Sequence, residues 1–511
     1  MKAFSLGTDR LKWSNLVALA AKPAPAITVS KEAWSRVESY RTIVEQVIKS
    51  GKVIYGINTG FGFLADVRIE NDKLQTLQYN LIRSHACGVG EPATPEVTRG
   101  LLILRAHTFL LGHSAVTRNT VETILEFLKH DILPLVPVQG SVGASGDLAP
   151  LSHLALGLLG EGEVFYKGKR MAAKAALKLA KVAALVPCAK EGLSLINGTQ
   201  FMAVLGAFAV RDAKVLSETA DVIAALSLEA IRGTKSAFDP RIQSVREQPG
   251  QHKVAANMNR LLAGKDEIMA SHANCARVQD PYSFRCIPQV HGATRDVIDF
   301  VAARVDGDLN SVTDNPLVFK DGSVLSGGNF HGQALAMAMD FLGIAVAELG
   351  SISERRIEKL TNPAMSGLPA FVMNECGLNS GFMIPHVVAA SLVSENKILC
   401  HPASVDSIPT SADKEDHVSM GPIAARKALK ICCHVASVLS IEALTAAQGI
   451  DLLAPLRPSR PLAKVHDKIR SMSPGMLVDR SLHSDILLIA NWIKSGGALA
   501  NGIKDIDSMI D

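Results

Sequence analysis

The sequence predicts a mainly α-helical protein, a bundle of long helices with a smaller mixed N-terminal domain and short hairpins. Hydrophobic residues make up 48% of its 511 residues and aromatic residues only 5%, a balance typical of helical interiors rich in Ala and Leu. Several long segments are also apolar on every side, and such helices are buried against many neighbours. These segments run from about His331 to Leu360, from 387 to 400 and from 421 to 448.

Residues 1–112 are expected to form the smaller mixed domain, which carries two candidate site residues discussed below. Ser30 is suited to cap a helix over residues 31–50, and Gly51 is suited to end it. The apolar run Val53-Ile54-Tyr55 predicts a short strand that leads into a glycine-containing loop. The N-terminal domain is thus predicted to mix strands, loops and helices.

Residues 113–511 are expected to form the helical-bundle domain, although helices dominate from about Thr94. Thr94 precedes Pro95, the usual order of an N-cap and a first helical proline. Thr117 is predicted to begin another helix. Two hairpins interrupt the helices, and their turns are predicted at Lys167-Gly168 and at 320–323.

Charge and cysteine content exclude several classes of function. The net charge of +4 is too small to indicate a nucleic-acid partner, and no basic run is interleaved with aromatic residues. The apolar stretch 334–350 contains Asp340 and Glu348, so we expect no membrane span. Eight cysteines without a Cys-x-x-Cys pair indicate reduced thiols, hence a cytoplasmic protein without a cysteine metal site.

One stretch carries chemistry of its own, the glycine-rich run Gly140-Ser141-Val142-Gly143-Ala144-Ser145-Gly146-Asp147. Attack of the Gly146 nitrogen on the Ala144 carbonyl would close a five-membered ring, and bulky side chains at either position would obstruct it. Loss of two waters, one from the Ser145 hydroxyl, leaves an electrophilic methylidene-imidazolone. The structural alternative is a flexible turn in which Asp147 only caps a helix over 148–159.

The run from Gly140 to His153 closely resembles the signature of the aromatic amino-acid ammonia-lyases. In that family the methylidene-imidazolone forms autocatalytically from this tripeptide, and the resemblance therefore implies Ala144, Ser145 and Gly146 as its source, with no external cofactor. Further signatures follow from Tyr55 to Met420, so the resemblance covers nearly the whole chain. It implies a homotetramer with shared active sites, which would also cover the apolar helix faces.

Within the family, the chain resembles the members that act on histidine. Ser84-His85 matches their pattern, whereas tyrosine-specific members place the histidine one position earlier. Glu415-Asp416-His417-Val418-Ser419-Met420 and Gly381-Phe382-Met383-Ile384-Pro385 also match them. The chain departs from the commoner pattern at Asp413-Lys414 and at His386. We expect these departures to affect rate and pH optimum, not reaction type.

The resemblance implies five catalytic residues. Tyr55 is the base on the β-carbon side, and its unperturbed pKa of about 10 requires help from a cation or helix dipole near neutrality. Ser145 becomes the centre of the electrophile. Asn197 hydrogen-bonds either the substrate carboxylate or the imidazolone oxygen. Tyr282 supports the electrophile, and Glu415 stabilises charge on the substrate ring.

The residues implied in substrate binding overlap with this set. Arg285 offers a fork for the substrate carboxylate. His85 and Glu415 hold the two imidazole nitrogens, a recognition that a phenyl ring cannot use. The full substrate-binding set is His85, Asn197, Gln279, Arg285, Phe330, Met383 and Glu415.

Each candidate also has a plain structural alternative. Tyr55 could pack its ring at a strand end, His85 could satisfy a helix end, Asn197 could cap the next helix, and Arg285 could form a surface ion pair. Metal binding is a weak alternative, because the spacing of the histidines matches no ligand motif. The histidines considered are His291, His331, His386, His401 and His417.

These observations predict non-oxidative deamination of L-histidine to trans-urocanate and ammonia, the first step of histidine degradation. The nearest alternative is an ammonia-lyase or aminomutase acting on tyrosine or phenylalanine. A more distant alternative is a fumarase-like helical lyase or a non-catalytic relative in which Ser145 stays unmodified.

Overall fold

A computed structural model describes residues 3–60, 67–275 and 277–496. The described chain is mainly helical with little sheet, as predicted. It divides into two compact units, the first from Met1–Arg211, Ala302–Asp340 and Pro402–Arg426, the second from Asp212–Val301, Phe341–His401 and Lys427–Asp511. The domain boundary expected near residue 112 stays a prediction.

Within the described residues there are twenty α-helices, most of the long ones in the C-terminal two thirds. In chain order they are α1 (Trp13–Ala20), α2 (Lys31–Ser50), α3 (Leu74–His85), α4 (Pro95–Leu110), α5 (Arg118–His130), α6 (Leu148–Leu158), α7 (Ala173–Ala180), α8 (Glu191–Ile196), α9 (Gln200–Ala230), α10 (Pro240–Ser244), α11 (Pro249–Leu261), α12 (Glu267–Ser271), α13 (Tyr282–Arg285), α14 (Ile287–Asp308), α15 (Gln333–Thr361), α16 (Pro363–Ser366), α17 (Met383–Leu399), α18 (Gly421–Leu452), α19 (Arg460–Met472) and α20 (His483–Lys494).

The strands are short and form small separate sheets. They are β1 (Phe4–Leu6), β2 (Ile27–Val29), β3 (Val89–Pro92), β4 (Ile132–Pro134), β5 (Pro137–Gln139), β6 (Glu163–Tyr166), β7 (Lys169–Ala172), β8 (Leu317–Val318) and β9 (Val324–Leu325). β1 pairs with β2 in parallel, and β3 with β5 antiparallel. The sheet β4-β6-β7 and the pair β8-β9 contain both predicted hairpins.

Local sequence accounts for the helix ends that were predicted. Ser30 Oγ accepts the Ala33 N–H at 3.1 Å at the start of α2, and Gly51 ends that helix in the left-handed conformation at φ 70°. Thr94 and Thr117 likewise accept backbone N–H groups at the starts of α4 and α5. These bonds satisfy donors that a helix leaves without intrahelical partners.

The strand predicted over Val53-Ile54-Tyr55 is wrong, because this segment forms loop and turn. The buried side chain of Asn58 explains the difference. Its Oδ1 accepts the Ile54 N–H at 2.9 Å, and its Nδ2 donates to the Lys52 carbonyl at 3.0 Å. Because one amide satisfies both backbone groups, they need no neighbouring strand. The end of the loop signature, Phe61 and Gly62, lies outside the described residues.

The core of the second unit contains a buried ionic layer that joins its long helices. Arg356 on α15 donates to Glu442 on α18, with Nε–Oε1 2.5 Å and Nη2–Oε2 2.9 Å. Asp221 on α9 accepts from His291 Nδ1 at 2.7 Å and from Arg295 Nη2 at 2.6 Å, both on α14. These paired charges fix how the helices are positioned, since removing one partner would leave a buried charge uncompensated.

Among the described residues, α15 and α18 are long and apolar enough to cross a membrane by length and composition alone. The tested windows are 67% and 78% buried inside the protein. Such burial is the behaviour of core helices in a folded bundle.

Candidate active site

Direct hydrogen bonds join three of the predicted site residues in the first unit. Ser145 Oγ donates to Glu415 Oε1 at 2.7 Å. Asn197 Nδ2 donates to the Ser145 backbone carbonyl at 2.6 Å. The three residues are far apart in sequence, so the fold brings the tripeptide, an amide and a carboxylate to one place.

The backbone at Gly146 admits no larger residue. Gly146 has φ 75°, in the left-handed region, and a Cβ there would lie 2.1 Å from the Gly198 carbonyl oxygen. The Asp147 N–H donates to that same oxygen at 2.8 Å, while the Gly198 N–H donates to the Ser145 carbonyl at 3.4 Å. The segment therefore lies directly against the loop that follows Asn197, and only glycine permits this approach.

The other side of the tripeptide packs against the segment that follows Glu415. Ala144 belongs to a small apolar cluster with Val418 and Met420. The Met420 N–H donates to the Val142 carbonyl at 2.8 Å. The Ser419 hydroxyl donates to the Gly143 carbonyl at 3.0 Å. Hydrogen bonds thus fix the backbone on both sides of Ser145.

Asp147 stands immediately before α6 but does not cap it. Its carboxyl Oδ2 instead accepts the Met202 N–H at 3.0 Å, at the start of α9. Burial raises the pKa of Asp147 to about 7, against the opposing effect of its backbone hydrogen bonds. Asp147 therefore ties the tripeptide segment to the N-terminus of a different helix.

Asn197 ends α8 and does not cap α9 with its side chain. Its loop is held by Arg105, a fully buried residue that donates to the Asn197 carbonyl at 3.0 Å and to Gln200 Oε1 at 2.6 Å. Burial lowers the pKa of Arg105 to about 10. Sequence analysis missed Arg105, although an arginine within the apolar α4 was a detectable signal.

His85 is the last residue of α3 and is partly exposed. Its Nδ1 lies 2.8 Å from the Leu81 carbonyl oxygen, which can only accept. In the neutral ring the proton therefore sits on Nδ1, and Nε2 is left as an acceptor. This bond also satisfies the Leu81 carbonyl near the end of α3. His85 therefore stabilises a helix end, as its structural alternative predicted, and still has Nε2 available for a ligand.

Glu415 uses its two carboxylate oxygens differently. Oε1 faces Ser145, whereas Oε2 accepts from Thr410 Oγ1 at 2.8 Å and Ser411 Oγ at 2.9 Å. Asp413 and Lys414 are exposed. Sequence analysis missed Thr410 and Ser411, since nothing in the local pattern shows that they meet Glu415.

Tyr55 and Phe330 belong to the first unit as well, and both are partly buried. The residue after Tyr55, Gly56, has φ 76°, and a Cβ there would lie 2.6 Å from Pro316 Cδ. Close packing against Pro316 thus restrains the loop that carries Tyr55.

The remaining predicted residues lie in the second unit. Gln279 is exposed, and Tyr282 is 73% exposed at the start of the short helix α13. The Arg285 guanidinium lies 4.8 Å from the centre of the Tyr282 ring, and its Nε donates to the Asp280 carbonyl at 2.9 Å. Met383 begins α17.

Four of the five histidines considered as metal ligands make other contacts. His386 Nε2 lies 2.8 Å from Glu354 Oε1, and His291 pairs with Asp221. The His331 and His417 rings stack with centroids 5.6 Å apart. In the part of the chain that the structure describes, no group of three or more His, Cys, Asp or Glu side chains is arranged to hold a metal ion.

Comparisons with a family model and with individual proteins point to the same family. The family model "aromatic amino acid lyase" matches residues 11–471. The chain is 50% identical over 500 residues to a histidine ammonia-lyase of Sorangium cellulosum, covering 96% of this chain and 97% of that protein. It is 48% identical to one from Koribacter versatilis, covering 97% and 98%.

Solved structures of enzymes with different activities share this fold. Histidine ammonia-lyase from Trypanosoma cruzi superposes with a TM-score of 0.91 at 45% identity, covering 100% of this chain and 96% of that one. Tyrosine aminomutase from Streptomyces globisporus superposes with a TM-score of 0.93 at 34% identity, covering 100% and 99%. Enzymes that act on different substrates thus share this fold. The fold alone does not identify the substrate, which depends on the residues of the site.

Proposed function

The chain belongs to the aromatic amino acid lyase family, and we propose that it is a histidine ammonia-lyase. It would convert L-histidine to trans-urocanate and ammonia without oxidation, as the first step of histidine degradation. The observation that carries this proposal is the Glu415 carboxylate, 2.7 Å from the Ser145 hydroxyl. An acidic group beside the electrophile-forming tripeptide suits a substrate ring that carries N–H groups.

The tripeptide fits the family's methylidene-imidazolone. Ala144 has a small side chain, Gly146 admits no Cβ, and hydrogen bonds fix the flanking backbone. We propose that the group forms from these residues without an external cofactor. Once formed, it supplies a strong electrophile next to the bound substrate.

The chain polarises the carbonyl of Ser145 with two donors. The amide of Asn197 and the N–H of Gly198 both donate to this oxygen, which would become the ring carbonyl oxygen. Fixed donors directed at an oxygen that gains negative charge stabilise that charge without reorganisation. Of the two roles considered for Asn197, the contact with the imidazolone oxygen is the one we propose.

Two acceptors are available for the substrate side chain. His85 offers Nε2, because its Nδ1 proton is committed to Leu81, and Glu415 offers Oε1. Two acceptors suit an imidazole ring that carries both of its N–H protons. A phenyl or phenol ring would instead leave the Glu415 charge desolvated, at a cost of about 1–3 kcal/mol or more. That corresponds to roughly 10- to 100-fold discrimination.

The remaining roles rest on the family resemblance. Arg285 would bind the substrate carboxylate, and Tyr55 would remove the β-proton. Gln279 and Tyr282 would support the electrophile. The pocket would be lined by Phe330 and Met383.

Assembly as a homotetramer in the cytoplasm belongs to the same proposal. Apolar side chains on α17 remain exposed in the single chain, and Ile384, Val387 and Ile398 are 59%, 54% and 74% exposed. Exposed apolar faces of this kind mark protein–protein contacts. No membrane or nucleic-acid partner is proposed.

The substrate preference of the enzyme tests the proposed function directly. We expect purified wild-type enzyme to form urocanate, followed by its ultraviolet absorbance, and kcat/KM to be higher for histidine than for tyrosine or phenylalanine. Glu415→Gln should strongly reduce histidine turnover. His85→Leu should reduce histidine turnover more than phenylalanine turnover. Preference of the wild type for tyrosine would favour the ammonia-lyase or aminomutase alternative and contradict this assignment.

Intact mass tests the electrophile separately. We expect the active chain to weigh two waters less than its sequence, because ring closure and serine dehydration each release one. Ser145→Ala has no side-chain hydroxyl to eliminate, so its mass should fall short by one water at most. This variant should lose nearly all turnover and stay folded by circular dichroism. An active wild-type chain with its complete sequence mass would refute the modification.

A further inference from the structure

The two oxygens of the Glu415 carboxylate have different hydrogen-bond partners. Its Oε2 accepts two hydroxyl hydrogen bonds, from Thr410 at 2.8 Å and from Ser411 at 2.9 Å. Its Oε1 contacts neither of these two hydroxyls and accepts the Ser145 hydroxyl at 2.7 Å. Since one carboxylate oxygen has about two lone-pair directions, two hydroxyl donors occupy Oε2 and direct Oε1 outward.

The backbone brings these hydroxyls to the carboxylate by an uncommon turn. Thr410 and Glu415 pair as an antiparallel bridge, with N–O distances of 3.0 and 3.3 Å in the two directions. Between them Ser411, Ala412 and Asp413 have φ of 52°, 52° and 64°, all left-handed.

The left-handed backbone conformation is unfavourable for residues other than glycine, because Cβ approaches the following carbonyl oxygen. Such a turn persists only where surrounding interactions determine it, and it occurs preferentially at functional sites. The bridge and the two bonds from Thr410 and Ser411 to Glu415 are interactions of that kind. The turn and the carboxylate orientation therefore support each other.

We infer that Thr410 and Ser411 are positioning residues, which hold the Glu415 carboxylate so that Oε1 points at the substrate ring. This inference rests on the proposed function and adds two residues that act on the reaction through Glu415. Small displacements of a catalytic group can lower turnover about 100-fold. Loss of both hydroxyls should therefore reduce kcat although Glu415 itself is unchanged.

The experiment compares Thr410→Val, Ser411→Ala and their combination with wild type. We expect kcat for histidine to fall about 10- to 100-fold in the double variant. Thr410→Ser should retain most of the wild-type kcat, because serine keeps the hydroxyl that donates to Glu415. The matched control is Ser407→Ala in the same loop, whose hydroxyl accepts the Val418 N–H at 3.0 Å and does not contact Glu415. The control should retain near wild-type kcat.

Two further readouts separate positioning from a general structural effect. In a Glu415→Ala background, Thr410→Val should cause no further loss, since no carboxylate remains to be held. Intact mass should show the same two-water deficit in every variant. A lost deficit in Thr410→Val, an equal loss in Ser407→Ala or an unchanged kcat in the double variant would overturn the inference. Absence of histidine turnover in wild type would instead refute the proposed function.

Discussion

Glu229 is a fully buried carboxyl group in the second unit, apart from the candidate site. Both of its oxygens accept the Ser459 N–H, at 3.2 and 3.1 Å. Burial raises the pKa of Glu229 to about 9, and the nearby Asp266 adds to the effect. Folding therefore makes this side chain retain a proton that the unfolded chain releases near its ordinary pKa.

The raised pKa of Glu229 makes the stability of the protein depend on pH. Between the ordinary pKa of 4.5 and the folded value of about 9, the folded state binds more protons than the unfolded state. The free energy of unfolding therefore falls as pH rises through this window. The contribution of Glu229 to stability is greatest at the acidic end and smallest near pH 9.

Replacing Glu229 with glutamine should stabilise the protein at alkaline pH. Glutamine imitates the protonated carboxyl, so the gain should grow with pH and reach a few kcal/mol near pH 8. We expect Tm measured by calorimetry at pH 5.5 and 8.5 to show a larger advantage at pH 8.5. The control is Glu247→Gln at an exposed position, which should show little difference. Equal Tm changes at both pH values would contradict the assignment.

Single residues with long-range partners were largely beyond sequence reasoning. The buried Arg105 stood out in an apolar helix, but no local pattern shows that it contacts the Asn197 loop. Thr410 and Ser411 lie only five and four residues before Glu415, yet non-glycine residues gave no sign of the left-handed turn that brings them to its carboxylate. Asp147 was considered as a cap for the helix it precedes, yet it accepts from the start of α9. A helix cap formed by a neighbouring residue can be predicted from sequence. Asp147 instead makes a tertiary contact with the start of α9 and leaves α6 without a side-chain cap.

The loop from Lys52 to Asn58 is the element in which propensity and structure disagree. The β-branched and aromatic residues at 53–55 favour a strand. A strand requires a partner, and the Asn58 side chain has already taken the backbone groups of Ile54 and Lys52. By contrast, helices with local caps such as α2 and α4 were predicted to within a residue at their N-termini.

Substitution of Asn58 tests whether this amide holds the loop that carries Tyr55. Asn58→Ala leaves the Ile54 N–H and the Lys52 carbonyl without these partners. The expected cost is about 1–3 kcal/mol of stability, and kcat should also fall because Tyr55 lies within the span. Thermal unfolding and histidine turnover measure the two effects. Asn119→Ala, an exposed control on α5, should change neither. A wild-type kcat in Asn58→Ala would show that the amide does not position Tyr55.

At the scale of the whole molecule, the sequence predicted the helical class because long apolar segments leave few other solutions. It predicted the site through the family resemblance, whose motifs identify residues far apart in the chain. The structure joins Ser145, Asn197 and Glu415 directly. The contributions of Tyr55, Tyr282 and Arg285 stay predictions, because they rest on the family resemblance, which implies a site completed by other subunits.

Subunit mixing tests whether active sites are shared between chains. Family resemblance indicates that Tyr55 and Ser145 of one site come from different subunits. If so, tetramers reassembled from equal amounts of Tyr55→Phe and Ser145→Ala chains contain some intact sites, although each parent is inactive. A site needs an intact Ser145 from one chain and an intact Tyr55 from another, each with a probability of one half.

About a quarter of wild-type activity should therefore return, provided that subunits exchange at random among equivalent positions. Exchange itself is checked with an affinity tag on the Ser145→Ala chains, which should retain untagged Tyr55→Phe chains after mixing. Size-exclusion chromatography with light scattering should show a tetramer before and after mixing. If exchange occurs but no activity returns, both groups come from one chain. A fully active monomer would contradict the shared site altogether, because no second subunit would be present to complete it.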